Sequence, residues 1–161
     1  MRLPAGVEWA VHVLLNLSWA GGDHPVSTAT LALGHDHPPA YLNKQLQRLV
    51  KAGLLISEPG AQGGFRLARG LQSITLLDVV DAIEGDDGLF RCQEIRQCGT
   101  IAACNGDVDY SPPCAVKTAM GRAENAWRAA LSAQTLAGIR AEADAHAPGL
   151  ADAVRRAFGR T

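Results

Sequence analysis

Apolar residues recur at helical spacing over most of this chain and at strand-like density in one short region. From about Gly6 to Trp19 they form a first helix, stopped by Gly21 and Gly22. One of its faces carries Val7, Val11, Leu14 and Ser18 and is the expected core contact. The neighbouring face carries Glu8, His12, Leu15 and Trp19, which puts a carboxylate and an imidazole one turn apart beside two apolar side chains. A short helix is expected from Val26 to Leu33, capped by Ser27 or a neighbour, then a break at Gly34-His35-Asp36-His37. Pro38 and Pro39 suit the first turn of a third helix, which runs to Ala52 and ends at Gly53. Along it Tyr41, Leu42, Leu46, Leu49 and Val50 keep the 3.6-residue period, while Asn43, Lys44, Gln47, Arg48 and Lys51 fall largely outside that stripe.

The period then shortens. Leu54 to Glu58 and Phe65 to Arg69 are two strand-like runs joined by Pro59-Gly60-Ala61-Gln62-Gly63-Gly64, the pattern of a hairpin. A hairpin directly after a helix-turn-helix is a wing. Thr75 is placed to cap a helix to about Ile83, with Asp78 near its positive end and Gly85 as its stop. Beyond a cysteine-bearing stretch, a long helix is predicted from Ala115 to about Ala133, with Val116, Met120, Ala123, Trp127 and Leu131 along one stripe. Thr135 caps a further short helix through Leu136 and Ile139; His146 to Thr161 reads as a weakly held tail or a last helix carrying Arg155 and Arg156. The expected fold is mostly α with a small β-hairpin wing. It divides into a winged helix-turn-helix domain at 1–85, a cysteine loop at 86–114, a long dimerisation helix region at 115–145 and a C-terminal segment at 146–161. The long helix has little of its own chain to pack on, so a second copy in a two-fold dimer is the expected partner.

Composition changes this picture little. At 161 residues and 47% hydrophobic the chain is long enough for a real core, and its formal charge of −1 predicts neither a nucleic-acid nor an acidic partner. The distribution of charge says more. Between Pro38 and Arg69 lie five bases (Lys44, Arg48, Lys51, Arg66, Arg69) and one acid, Glu58, whereas Asp81 to Asp87 holds four acids and no base. Tyr41, Asn43, Lys44, Gln45, Arg48 and Lys51 on the third helix, with Gln62 and Arg66 on the wing, are the candidates for contacting phosphates and base edges of double-stranded DNA. A phosphate-cradling role for GAQGG is disfavoured, since it lacks the Walker lysine and no helix follows it. No apolar run reaches the roughly 18 residues that span a bilayer, and no secretory signal is evident, so a cytoplasmic protein that does not enter the membrane is expected.

The remaining chemistry lies between Phe90 and Cys114, FRCQEIRQCGTIAACNGDVDYSPPC, which contains all four cysteines of the chain. Five, five and nine residues separate Cys92, Cys98, Cys104 and Cys114, and Gly99, Gly106, Pro112 and Pro113 mark the stretch as a loop. Disulfides fit poorly with a reducing compartment. Structural zinc normally uses closer C-x2-C pairs. Iron-sulfur clusters suit thiolates on irregular loops and accept other ligands in place of some sulfurs. Glu8 and His12 are metal ligands in principle, against the ordinary reading of an i,i+4 surface pair. An enzyme would need a nucleophile activated by a base, and no such constellation is present.

Together, YLNKQLQRLVKAGLL, the wing GAQGGFRLAR, the helix ITLLDVVDAIEG, the cysteine loop and CAVKTAMGRAENAWRAAL resemble the winged-helix iron-sulfur regulators that include IscR, NsrR and RsrR. The resemblance covers about residues 1–140 and implies a dimeric, DNA-binding transcription regulator. That family carries three loop cysteines, the last opening the long helix; Cys92, one of Cys98 or Cys104, and Cys114 match, and the fourth cysteine departs from the pattern. GVEWAVH is most similar to the redox-responsive RsrR type. That likeness implies a two-iron two-sulfur cluster across the dimer interface, held by Glu8 and His12 of one subunit and two cysteines of the other. Cys114 matches by position and Cys104 by proximity, with Cys92 and Cys98 as alternatives, and Trp9 beside Glu8 is the implied switch residue. The competing expectation is a zinc-stabilised or thiol-based redox regulator without a cluster.

Overall fold

The computed structural model describes residues 3–159 except 22, 23, 35–37, 61, 86, 105 and 107, and the side chain of residue 101. The expected break at 35–37, the stop at 22, the wing-loop residue 61 and one acid of the 81–87 run therefore lie outside the described residues. The rest folds as two units, residues 1–86 with 131–161, and residues 87–130.

Helix α1 (Ala5–Ala20) is the centre of the first unit. Gly6, Val7, Ala10, Val13, Leu14, Leu15, Leu17, Trp19 and Ala20 are all buried, so the helix is covered on nearly every side. This differs from the expected two-faced helix: Leu15 and Trp19 of the second face lie in the core, while Glu8 and His12 are exposed. The reason is the number of neighbours, since α1 packs against elements from both ends of the chain. Gly6 permits the closest approach, because a Cβ there would sit 3.3 Å from Ile83 Cγ2 and 3.4 Å from Gln45 Nε2.

Helix α2 (Thr28–Leu33) is capped by Ser27, whose hydroxyl accepts from the Thr30 N–H at 3.1 Å. Helix α3 (Pro39–Lys51) begins on the two prolines and ends where Gly53 turns to φ 70°. Leu42, Leu46 and Leu49 are at most 1% exposed and anchor it. Strands β1 (Leu55–Glu58) and β2 (Gly64–Leu67) pair antiparallel with Leu55 opposite Leu67 and Glu58 opposite Gly64, forming the wing. Val26 and Phe65 exchange backbone hydrogen bonds at 2.9 Å each way, which ties the approach to α2 onto the wing. Gly64 makes this possible: at φ 156° its missing Cβ would lie 2.3 Å from the Val26 carbonyl oxygen.

Helix α4 (Leu76–Glu84) starts with a capping box in which the Thr75 side chain accepts from the Asp78 N–H and the Asp78 carboxylate accepts from the Thr75 N–H. Helix α7 (Leu136–His146) is stitched to the same point, since the Leu76 N–H donates to Gln134 O at 2.9 Å and the Leu136 N–H to Ile74 O at 2.8 Å. The C-terminal segment is helix α8 (Leu150–Ala157), which packs on α1. Its Arg155 and the Arg140 of α7 donate to the carbonyls of Trp19 and Ser18 at 3.5 and 3.3 Å. These guanidinium groups cap a helix that has no base in its own last turn. The indole N–H of Trp19 is met by Asp144 at 2.8 Å.

The second unit contains a 3-10 turn at Ile95–Gln97, helix α5 (Gly99–Cys104) and most of helix α6 (Ala115–Ser132). The cysteine stretch is therefore not all loop: TIAAC has helix-forming residues, and Gly99 at φ 74° admits the chain into a short helix. Among the described residues no helix is long and apolar enough to cross a membrane.

Removing one side of the Thr75 cap by Thr75→Ala should cost about 1 kcal/mol of unfolding free energy in denaturant titration. Gly64→Ala should cost more, because its clash is with backbone that cannot rotate away.

Candidate DNA-binding surface and cysteine segment

Helix α3 turns Leu42, Leu46 and Leu49 inward and leaves Tyr41, Asn43, Lys44, Gln47, Arg48 and Lys51 exposed. On the wing Gln62 is exposed and Arg66 half-buried. Charge on this surface is partly engaged already. The Arg66 Nε donates to Glu58 at 2.5 Å, and Arg69 lies 3.5 Å from Asp78.

Two of the expected DNA contacts occupy a different setting. Gln45 is only 6% exposed and packs within the core, so it does not face the groove side of α3. Its position explains this, because Leu42, Gln45, Leu46 and Leu49 follow the i, i+3, i+4, i+7 pattern of a buried face. That spacing was a readable signal, masked by the polar identity of the residue. Arg48 is exposed at the surface, yet its Nη1 donates to the Ile83 carbonyl of α4 at 2.6 Å and reaches Gln45 Oε1 at 3.5 Å.

In the second unit all four cysteines are free thiols: Cys92 is half-buried, Cys98 and Cys104 are exposed, and Cys114 is buried. Cys114 precedes α6, and the backbone N–H of Lys117 holds its thiol below the ordinary range, helped by the N–H of Val116 and by Arg96. Burial and the Glu94 carboxylate act in the opposite direction. Arg96 organises this stretch and was not singled out by sequence. It pairs with Glu94, donates Nη2 to the Pro112 carbonyl at 3.2 Å and lies 5.4 Å from the centroid of the Tyr110 ring. Its basicity is raised chiefly by Glu94 and further by Cys114 and Cys92, so both thiols are within its electrostatic reach. Glu94 itself is depressed mainly by its bond to Arg96, and it sits at φ 51°, a left-handed conformation rare for a non-glycine residue. The N–H of Leu89 donates to Glu124 of α6 at 3.1 Å and ties the start of the segment to that helix.

Glu8 and His12 stand one turn apart and exposed on α1, and Trp9 between them is half-buried. Among the described residues no three His, Cys, Asp or Glu side chains converge to hold a metal ion. The chemistry of one donor does suit a soft metal, since Cys114 is biased toward thiolate.

Comparison with known proteins gives a consistent picture. Residues 3–142 match a family described as Rrf2, iron-dependent transcriptional regulator. The HTH-type transcriptional regulator YffB of Lactococcus lactis is 36% identical over 139 residues, 86% of each chain. Among solved structures, CymR of B. subtilis, the global cysteine regulator, superposes with a TM-score of 0.65 at 20% identity over 88% of this chain and 98% of CymR. The IscR of T. potens gives 0.64 at 23% identity, over 89% and 88% of the respective chains. At these identities the superpositions speak for the fold alone.

The depressed thiol gives a pH expectation. Lowering the folded pKa keeps Cys114 reactive as pH falls, so the midpoint of its alkylation rate should lie below that of an unperturbed cysteine thiol. Arg96→Ala should move that midpoint upward. Mass-spectrometric counting of alkylation at each cysteine between about pH 5 and about pH 9 checks both.

Proposed function

The chain belongs to the Rrf2 family and is a DNA-binding transcriptional regulator rather than an enzyme, and we propose that it acts in the cytoplasm as a homodimer whose cysteine segment senses redox or a related signal. The carrying observation is α3, which turns its leucines inward and presents Tyr41, Asn43, Lys44 and Lys51 outward beside a hairpin wing. In a helix-turn-helix the second helix enters the major groove, so Asn43 and Lys44 are the base-reading candidates. Lys51 near the end of α3, with Gln62 and Arg66 on the wing, serves the DNA backbone. The dimer is supported by α6, an 18-residue helix with no buried residue, on which Val116 is 59% and Met120 44% exposed. A stripe of this length finds cover in a second copy through Val116, Met120, Trp127 and Leu131.

The finer reading is a two-iron two-sulfur cluster of the RsrR type, held by Glu8 and His12 of one subunit and by Cys114 with a second cysteine of the other. Exposure of Glu8 and His12 at one-turn spacing supports their half of the set. The partner taken for Cys114 is Cys104, with Cys92 and Cys98 as alternatives; Cys104 and Cys98 are exposed, and Cys92 shares with Cys114 the influence of Arg96. When bound, such a cluster supplies a one-electron change at a potential raised by its oxygen and nitrogen ligands. Trp9, adjacent to Glu8, would report that change. The second reading, a zinc-stabilised or thiol-based regulator without a cluster, is supported by the lowered thiol of Cys114.

Anaerobically purified protein should be red-brown, with iron and sulfide in equal amounts, and should lose colour in Cys114→Ala, Glu8→Ala and His12→Ala. A colourless, zinc-containing protein selects the second reading. Asn43→Ala should cost about 1–3 kcal/mol on specific DNA and relax specificity, while Lys51→Ala should weaken all sequences alike. Trp127→Ala should raise the dimer dissociation constant in analytical ultracentrifugation; a wild type that is monomeric and folded at micromolar concentration refutes the dimer.

A further inference from the structure

We propose that Arg48 is not a DNA contact but the strut through which the cysteine segment acts on the DNA-reading helix. The proposal rests on α3 being that helix. Helix α4 has no basic residue in its last turn, so the negative end of its dipole is unanswered from within. Arg48, reaching across from α3, answers it by donating to Ile83 O at 2.6 Å. Only residues 84–86 separate Ile83 from Asp87, where the second unit begins. The same guanidinium touches Gln45 at 3.5 Å, and Gln45 is itself 6% exposed, a buried polar side chain in an otherwise apolar interior. The amide of Gln45 packs beside α1, 3.4 Å from where a Cβ of Gly6 would lie, two residues before Glu8.

Arg48 thus bonds α3 to the end of α4, after which the cysteine segment follows in sequence, and touches Gln45, which packs beside the start of α1. A cleft of about 420 Å³ beside it is lined by Arg48, Lys51, Asp81, Glu84 and Gly85. Arg48 therefore has room to leave the carbonyl, and two acids line the space it would cross. A guanidinium already bonded to a carbonyl, with two carboxylates lining the cleft beside it, gains less from a phosphate than an unengaged cation does. Two arrangements follow, one with Arg48 on α4 and one with it released, and any change in the cysteine segment that shifts the end of α4 biases α3 by that bond.

The test uses the full-length chain without metal and a duplex that the wild type selects from random-sequence DNA, so its result does not depend on a cluster. Hydrogen exchange is followed over residues 80–92 with and without the duplex. In the wild type, DNA binding should slow exchange there about fivefold or more, the lower end of typical coupling between sites. Arg48→Met removes the donor and should abolish that transmitted protection while leaving the salt dependence of binding unchanged. Arg48→Lys keeps the charge that a phosphate needs but not the guanidinium reach, and should behave like Arg48→Met. If Arg48→Met fails to fold, Arg48→Lys decides alone. The proposal is overturned if protection of residues 80–92 persists in the variants, or if Arg48→Met lowers the salt slope by about one phosphate and Arg48→Lys restores it. A wild type that selects no duplex overturns the DNA-reading role of α3 itself, an outcome separate from failure of the strut.

Discussion

The burial of α1 around most of its circumference is the constraint from which the first unit takes its form. A helix lined by Val7, Ala10, Val13, Leu14, Leu15, Leu17 and Trp19 leaves little beyond Glu8 and His12 to water, and each large apolar side chain removed from solvent contributes on the order of 1.5–3 kcal/mol. Covering it requires α3 and α4 from the next part of the chain and α7 and α8 from the far end. Helix α3 is therefore positioned from behind, by the core, and its polar side is left outward because its leucines are committed inward.

The C-terminal helices complete that arrangement in two ways. They cover α1, and through Arg140 and Arg155 they satisfy carbonyls at its end that the helix cannot satisfy itself. Asp144 performs the same service for the indole N–H of Trp19, a group that would otherwise be buried without an acceptor. These are polar contacts at the edge of an apolar core, where an unmet hydrogen-bonding group costs more than a met one contributes.

The cysteine segment is held by different means. Arg96 gathers Glu94, Tyr110 and Pro112 by charge, ring contact and one hydrogen bond, and Cys114 is the one described residue of 87–130 that is fully buried. A segment with so little apolar burial opens at low free energy. At the end of α4, which has no base in its own last turn, Arg48 of α3 donates to the Ile83 carbonyl.

The sequence by itself determined the elements whose causes are local. The Ser27 and Thr75 caps, the proline start and glycine end of α3 and the length of α6 all follow from hydrogen bonds and side-chain periods within a few residues. The candidate DNA surface was legible to the same extent: Asn43, Lys44 and Lys51 stand outside the leucine stripe and are exposed, as their spacing implies. Tertiary structure alone decided the rest. Glu8 and His12 share a face with Leu15 and Trp19 by spacing, yet one pair is exposed and the other buried, because partners more than a hundred residues away cover only one end of α1. Gln45 is inside and Arg48 is tied to α4 for a related reason: the choice between solvent and core is made by whichever helix packs alongside, and a side chain's identity does not encode that neighbour.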